Sequence, residues 1–100
     1  MEPEIELVGF SQLPKGAEGA KDIVDAETAK LLHKFDIAHL RVHIKTHLKG
    51  DHPSHYSCNI HADIHTKHCE VLKEDHDPIK LIHKSFDALQ NELVHHLNRA

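Results

Sequence analysis

Two segments near the middle of the chain alternate between apolar and polar residues, the pattern of strands that bury one face. Residues 38–48 (AHLRVHIKTHL) place their apolar side chains on one side, and the alternation resumes from residue 56 to residue 63. Between them, residues 49–54 (KGDHPS) are rich in turn-forming residues. The pattern therefore predicts an antiparallel hairpin joined by a loop over residues 49–54.

Two further strands are predicted at the ends of this region. Residues 4–10 (EIELVGF) begin with alternating charged and apolar residues and indicate a half-buried strand. Residues 68–73 (HCEVLK) indicate a short fourth strand with Cys69 and Val71 facing inward, after a turn around residues 64–66. On this parity both cysteines, Cys58 and Cys69, are predicted to be small buried core residues.

Two amphipathic helices complete the pattern. Over residues 17–35, Ala20, Val24, Leu31 and Phe35 share one helical face. The pair Asp77-Pro78 is a typical helix start, because aspartate caps the first turn and proline fits its first position. The apolar stripe that follows consists of Ile79, Ile82, Phe86, Leu89, Leu93 and Leu97.

These elements predict one α+β domain over residues 1–100. Its order is β-α-β-β-β-α, with a four-stranded, mostly antiparallel sheet and two helices packed on one face. The other face of the sheet is predicted to be exposed and rich in histidine.

Composition limits the classes of partner. The 100 residues carry 12 Lys+Arg against 16 Asp+Glu, a net charge of −4 that argues against binding nucleic acid by bulk positive charge. Thirteen histidines could raise that charge to +9 on full protonation, so the electrostatics depend on pH. Two cysteines and the lack of an apolar targeting or membrane segment favour a cytoplasmic protein without a membrane partner.

The histidine-rich face carries the candidate metal chemistry. In the simplest hairpin register, His47 faces His55, Arg41 faces His61, and His39 faces Asp63. Imidazoles and a carboxylate at cross-strand distance are ligands for Zn or Cu. A solvated face without a ligand and a face that binds anions when protonated remain alternatives, and no metal ligand set or cofactor is assigned.

Catalysis is not expected. Ser54, His55 and Asp51 lie close in sequence, but no nucleophile elbow, phosphate loop or HExxH motif accompanies them. The sequence therefore predicts a protein that is not an enzyme and has no small-molecule substrate.

The element order, and above all residues 56–97 with the stretch KEDHDPIKLIHKSFDALQNELVHHL, resembles the ribosome hibernation-promoting factor family, also called the ribosome-associated inhibitor or sigma-54 modulation family. The acidic Glu74-Asp75 before the helix and the spacing of Ile82, Phe86, Leu89 and Leu93 carry the resemblance. It implies the short form of the family, which lacks a C-terminal dimerisation domain and is a monomer off the ribosome.

The resemblance also implies a function. Family members bind rRNA of the small ribosomal subunit in the mRNA and tRNA channel and inhibit translation during stress, through basic residues of both helices. The matching positions here are Lys30, Lys34, Lys80, Lys84, His95, His96 and Arg99. The chain departs from the family in its charge. Lys or Arg is expected at four positions that here hold His83, Gln90, Asn91 and His95.

Other readings stay open. The basic residues late in each helix would also complement the helix dipoles without any partner. The chain could instead be a small protein that senses metal or protons, or a family relative that has lost rRNA binding and acts through a protein partner.

Overall fold

A computed structural model describes residues 3–13, 19–64 and 67–98, with side chains through residue 95. The elements are β1 (Glu4–Val8), a turn of 3-10 helix (Phe10–Gln12), α1 (Ala20–Lys34), β2 (His39–Lys49), β3 (His52–Ile64), β4 (Lys67–Asp75) and α2 (Pro78–Asn98). Their order is the predicted β-α-β-β-β-α.

The four strands form one sheet in the order β1-β2-β3-β4. β1 pairs with β2 in parallel, and the two following pairs are antiparallel. A parallel pair of consecutive strands needs a crossover connection, and α1 supplies it. The predicted four-stranded, mostly antiparallel sheet is confirmed, and the place of β1 at the edge beside β2 is settled.

The core lies between one face of the sheet and the two helices. Alternate residues along most of β2, β3 and β4 are buried there, with Leu7 of β1 partly buried beside them, and α1 and α2 cover them from the same side. The buried strand residues are Leu40, Val42, Ile44, Tyr56, Cys58, Ile60, Ala62, Ile64, Cys69 and Val71. This arrangement confirms that both helices pack on one face and leaves the other face exposed.

The second helix begins where the sequence predicted. The Asp77 side chain accepts hydrogen bonds from the backbone N–H groups of Ile79 at 2.8 Å and Lys80 at 3.3 Å. Its stripe is buried at Ile82, Phe86, Leu89 and Leu93, with Leu81 added to it. The N-cap therefore fixes where α2 begins, and the apolar stripe determines which of its faces meets the sheet.

The β2–β3 connection differs from the predicted loop over residues 49–54. Only Gly50 and Asp51 lie between the strands, and Gly50 takes a φ of 66°. The register shifts after His47, because His47 pairs with His55 whereas Leu48 pairs with Pro53. Proline is tolerated in β3 because this irregularity relaxes the demand for ladder hydrogen bonds.

The first strand ends earlier than predicted, at a glycine. Gly9 has a φ of 87°, and a β-carbon there would collide with the backbone carbonyl oxygen of Ile44 in β2. Only glycine allows both the left-handed backbone and the close approach. Gly9 therefore turns the chain out of β1 and holds it against the sheet.

Replacing Gly9 with alanine should destabilise the fold by about 3 kcal/mol, from the left-handed conformation plus overpacking. Gly50→Ala is the matched control, because Gly50 also has positive φ but open space around it, so it should cost only ~1–2 kcal/mol. Urea unfolding of both variants measures the difference. Equal losses would show that the contact with Ile44 contributes nothing.

Candidate functional site

The predicted basic residues lie on the exposed surface of the helices. Lys30 and Lys34 are in the last turns of α1. Along α2 lie Lys80, Lys84 and His95. Lys80 and His95 are 15 positions apart, which is ~22 Å along a helix. The His96 side chain and Arg99 lie outside the described residues. The cations therefore form an extended row and not a single cluster.

An acidic residue lies among the helix cations. Glu27 of α1 is 3.5 Å from Lys30 Nζ and 3.6 Å from the ring of His83 on α2. Its side chain is only 19% exposed, whereas that of Lys30 is 70% exposed. Glu27 thus joins the two helices and offsets part of the positive charge at this point.

Lys84 is also paired. Its ammonium group lies 3.0 Å from an Asp75 carboxylate oxygen and donates to the Glu74 backbone carbonyl at 3.0 Å. In contrast, Lys34 and Lys80 are exposed and form no ion pair within the described part of the chain. Of the four lysines that the resemblance selects, these two are therefore free to meet a ligand.

The outer face of the sheet brings together the histidines in the predicted register. His47 pairs with His55, Arg41 with His61, and His39 with Asp63. The rings of His47 and His55 are stacked, with centroids 4.3 Å apart and planes at 5°. The hairpin prediction is therefore confirmed at the level of individual pairs.

A network of ionisable groups extends across this face near its β4 edge. His68 lies 2.6 Å from Asp63, and His61 lies 3.0 Å from Glu70. Asp63 is also 3.4 Å from His39. The hydrogen bond from His68, aided by His39, holds the pKa of the Asp63 carboxyl below its usual value. The network therefore favours an ionised carboxylate beside the imidazoles.

Among the residues that the structure describes, three groups on this face have possible metal-ligand atoms within 4.8 Å of one another. They are His47–His55–Glu74, His61–His68–Glu70 and Glu4–Glu6–His39. The sequence had identified the β2–β3 pairs but not His68, Glu70 or Glu74, because the register of β4 was not fixed. Parity with the inward Cys69 and Val71 was the signal that could have placed them outward.

An open cleft of ≈ 400 Å³ adjoins the stacked pair. It is lined by His55, Glu74, Asp75, His76 and Lys84. His76 Nδ1–H donates to the Ser54 carbonyl at 2.9 Å, which fixes the ring at the mouth of the cleft. The cleft is polar and bears both charges, so it does not favour an apolar ligand.

The arrangement of Ser54 and His55 does not resemble an activated nucleophile. The two side chains are 2.9 Å apart, but the Ser54 hydroxyl donates its hydrogen to the His47 carbonyl at 3.2 Å. The hydroxyl oxygen therefore accepts a hydrogen bond from His55. A general base would instead have to accept the hydrogen of the hydroxyl. No hydrogen bond or ion pair within the described residues joins Asp51 to them.

Both cysteine thiols are buried, and burial makes them poor nucleophiles. Burial raises the pKa of Cys58, against a smaller lowering by its hydrogen bond with Ser85. Burial and the nearby charge of Glu92 raise the pKa of Cys69. Both cysteines are core residues, as predicted.

Comparison with solved structures identifies the fold. A ribosomal subunit interface protein from Coxiella burnetii superimposes with a TM-score of 0.72 at 11% identity, covering 96% of this chain and 99% of the other. The N-terminal domain of Protein Y from Thermus thermophilus gives 0.65 at 20% identity, covering 92% and 94%. The chain has the fold of these two proteins.

These two matches confirm, at the level of the fold, the resemblance predicted from the sequence. Sequence comparison adds nothing, since no family model and no curated protein matches the chain. Within the described residues, neither helix has the length and apolarity needed to cross a bilayer.

The Asp75 carboxylate should stabilise the protein only while it is ionised. Its pKa is lowered by the backbone N–H of Asp77 and then by Lys84. A pKa lower in the folded than in the unfolded state contributes stability above the unfolded value of ~3.9, and this contribution is lost as pH falls through the folded value. Asp75→Asn should therefore lower the urea midpoint at pH 7, by an amount that shrinks below pH ~4.

The control for this measurement is Asp51→Asn, an exposed aspartate in the β2–β3 turn. It should leave the midpoint unchanged at both pH values. An offset for Asp75→Asn that is the same at pH 7 and at pH 3 would assign the effect to shape and not to charge.

Proposed function

We propose that the protein is a ribosome-binding inhibitor of translation that occupies the mRNA and tRNA channel of the small subunit. The observation that carries this proposal is the end-to-end match in fold to the ribosomal subunit interface protein. Because likeness of fold alone does not transfer function, the proposal also needs a surface on this chain that can accept rRNA.

Charge supports the helix side as that surface. Among the described residues, the outer sheet face presents five carboxylates, Glu4, Glu6, Asp63, Glu70 and Glu74, against three permanent cations, Arg41, Lys45 and Lys49. A polyanion is repelled by such a face while the histidines are neutral. The helices carry acids and bases in near balance, with Lys34 and Lys80 exposed. Phosphates would therefore approach from the helix side.

The mechanism is occlusion without turnover. Lys34 and Lys80 would contact rRNA phosphates directly. Lys30 would first have to break its ion pair with Glu27, and Lys84 its ion pair with Asp75, before either could bind a phosphate. His95, His96 and Arg99 would extend the contacts toward the end of α2. Binding of this kind positions the domain in the channel and excludes mRNA and tRNA by volume. The protein would act as a monomer in the cytoplasm, where ribosomes are its partner.

Neutralising Lys34 or Lys80, the predicted contacts that form no ion pair, should weaken ribosome binding. Lys34→Gln and Lys80→Gln should each reduce the slope of log affinity against log salt by ~0.7–0.9, the value of one lost phosphate contact. Co-sedimentation with small ribosomal subunits at pH 6 and pH 7.5, each at two salt concentrations, measures the slopes. The lower pH adds protonated histidine and should strengthen binding.

Lys45→Gln is the matched control, because Lys45 is an exposed lysine on the outer sheet face. It should leave the slope unchanged. Absence of binding at pH 6 and low salt would reject the ribosome proposal and favour a protein partner instead. Equal effects of Lys45→Gln and Lys34→Gln would reject the assignment of the helix side.

Removing the acid between the helices should have the opposite effect. Glu27→Gln frees Lys30 and removes one negative charge facing the phosphates. An exposed ion pair is worth ~0.2–1 kcal/mol, so we expect affinity for the small subunit to rise about threefold. Glu6→Gln makes the same change on the outer sheet face and should not alter affinity. Unchanged or weaker binding of Glu27→Gln would contradict phosphate contact at this point.

A further inference from the structure

We propose that His61, His68 and Glu70 bind a divalent transition-metal ion of the Zn²⁺ class on the outer face of the sheet. The site lies on neighbouring strands, where His61 of β3 is directly opposite Glu70 of β4. His68 of β4 is opposite Asp63 of β3, in the next cross-strand pair on the same face. This function is independent of ribosome binding, which uses the helix side.

The spacing of the donor atoms matches a tetrahedral ion. His61 Nδ1 lies 3.2 Å from His68 Nε2 and 3.0 Å from Glu70 Oε2. Ligands held ~2.0–2.1 Å from a tetrahedral zinc ion are ~3.3 Å apart. The remaining distance, from a ring nitrogen of His68 to a carboxylate oxygen of Glu70, is within 4.8 Å. Small side-chain rotations therefore suffice to place all three atoms around one ion.

Asp63 prepares His68 for this role. His68 Nδ1–H donates to Asp63 Oδ1 at 2.6 Å, so the lone pair is on Nε2, the atom that faces His61. A carboxylate that orients an imidazole in this way is the usual outer partner of a histidine ligand and fixes its tautomer. Asp63 is itself held from the other side by His39 at 3.4 Å. The ligand and its support thus come from three adjacent strands.

Two of the three ligand atoms also compete for one hydrogen, which His61 carries. His68 Nε2 and the Glu70 carboxylate are both acceptors, and both lie within hydrogen-bond distance of His61 Nδ1. A hydrogen on His61 Nδ1 can point toward only one of them. In the other tautomer of His61, with the hydrogen on Nε2, a cation at the centre accepts all three lone pairs at once.

Ring orientation distinguishes this group from the other two. An imidazole binds a metal in its own plane. The rings of His47 and His55 are nearly parallel at 5°, so their planes share no point near both nitrogens. The rings of His61 and His68 are inclined at 43°, and their planes intersect. The third group, Glu4–Glu6–His39, has a single imidazole and suits Zn²⁺ less well.

Titration of the full chain with ZnCl₂ at pH 7.5 tests the proposal. Calorimetry should give a saturable site, and imidazole ¹⁵N spectra should show metal-induced shifts at His61 Nδ1 and His68 Nε2. His68→Gln and Glu70→Gln should each weaken binding at this site at least tenfold. Asp63→Asn should weaken it ~10–100-fold without removing a ligand.

His55→Gln is the matched control, since it makes the same change in the stacked pair on the same face. It should leave the calorimetric affinity and the shifts at His61 and His68 unaltered. Circular dichroism of each variant confirms that the fold is intact. A His68→Gln titration that superimposes on the wild type overturns the site. An equal loss in His55→Gln also overturns it, because this would indicate diffuse chelation by many histidines.

Discussion

The structure depends on the burial of a single face of the sheet. The two helices cover the inward residues of all four strands from one side, so that the core is one layer of aliphatic side chains with few aromatic residues. A one-residue slip in any strand would exchange the buried and exposed sets. Burial of Leu40, Val42 and Ile44 therefore also determines that His39, Arg41 and His43 face outward.

This constraint gives the protein two polar surfaces of different chemistry. The outer sheet face combines carboxylates with most of the closely spaced imidazoles, held at cross-strand distances by a rigid ladder. The helix side presents long, flexible lysines, two of which are held by Glu27 and Asp75. Rigid, short side chains suit ligation of a small ion, whereas flexible cations suit an irregular polyanion.

The sequence predicts the fold well because its signals are local. Alternation placed three strands, and the three predicted pairs across the β2–β3 hairpin are confirmed because outward parity and a short connection leave little freedom. The register of β3 with β4 was harder. Ile64 pairs with Lys67, so only two residues separate the strands, yet they lack the Asn-Gly or Asp-Gly signature of a tight hairpin. Without that register, His61, His68 and Glu70 could not be brought together.

Contacts between helices could not be predicted either. Glu27 and His83 belong to different helices, and their approach depends on how α1 and α2 pack, which apolar periodicity alone does not specify. The paired state of Lys84 likewise depends on the position of Asp75 at the end of β4. Sequence reasoning selected the lysines of both helices as equivalent, whereas tertiary structure divides them into paired and unpaired groups.

The two proposed functions are separated by the thickness of the domain. A doubly charged cation on the outer face would halve the net charge of −4 and so reduce the long-range repulsion of a polyanion. At physiological ionic strength, however, such a field decays over ~8 Å, and the sheet and a layer of helices, each ~10–12 Å across, separate the two sites. Coupling of the sites would therefore require a conformational change that both ligands bias. The buried face opposes such a change, since strand register and helix packing cannot shift without exposing the core. Metal binding at the sheet and phosphate binding at the helices are thus expected to be nearly independent.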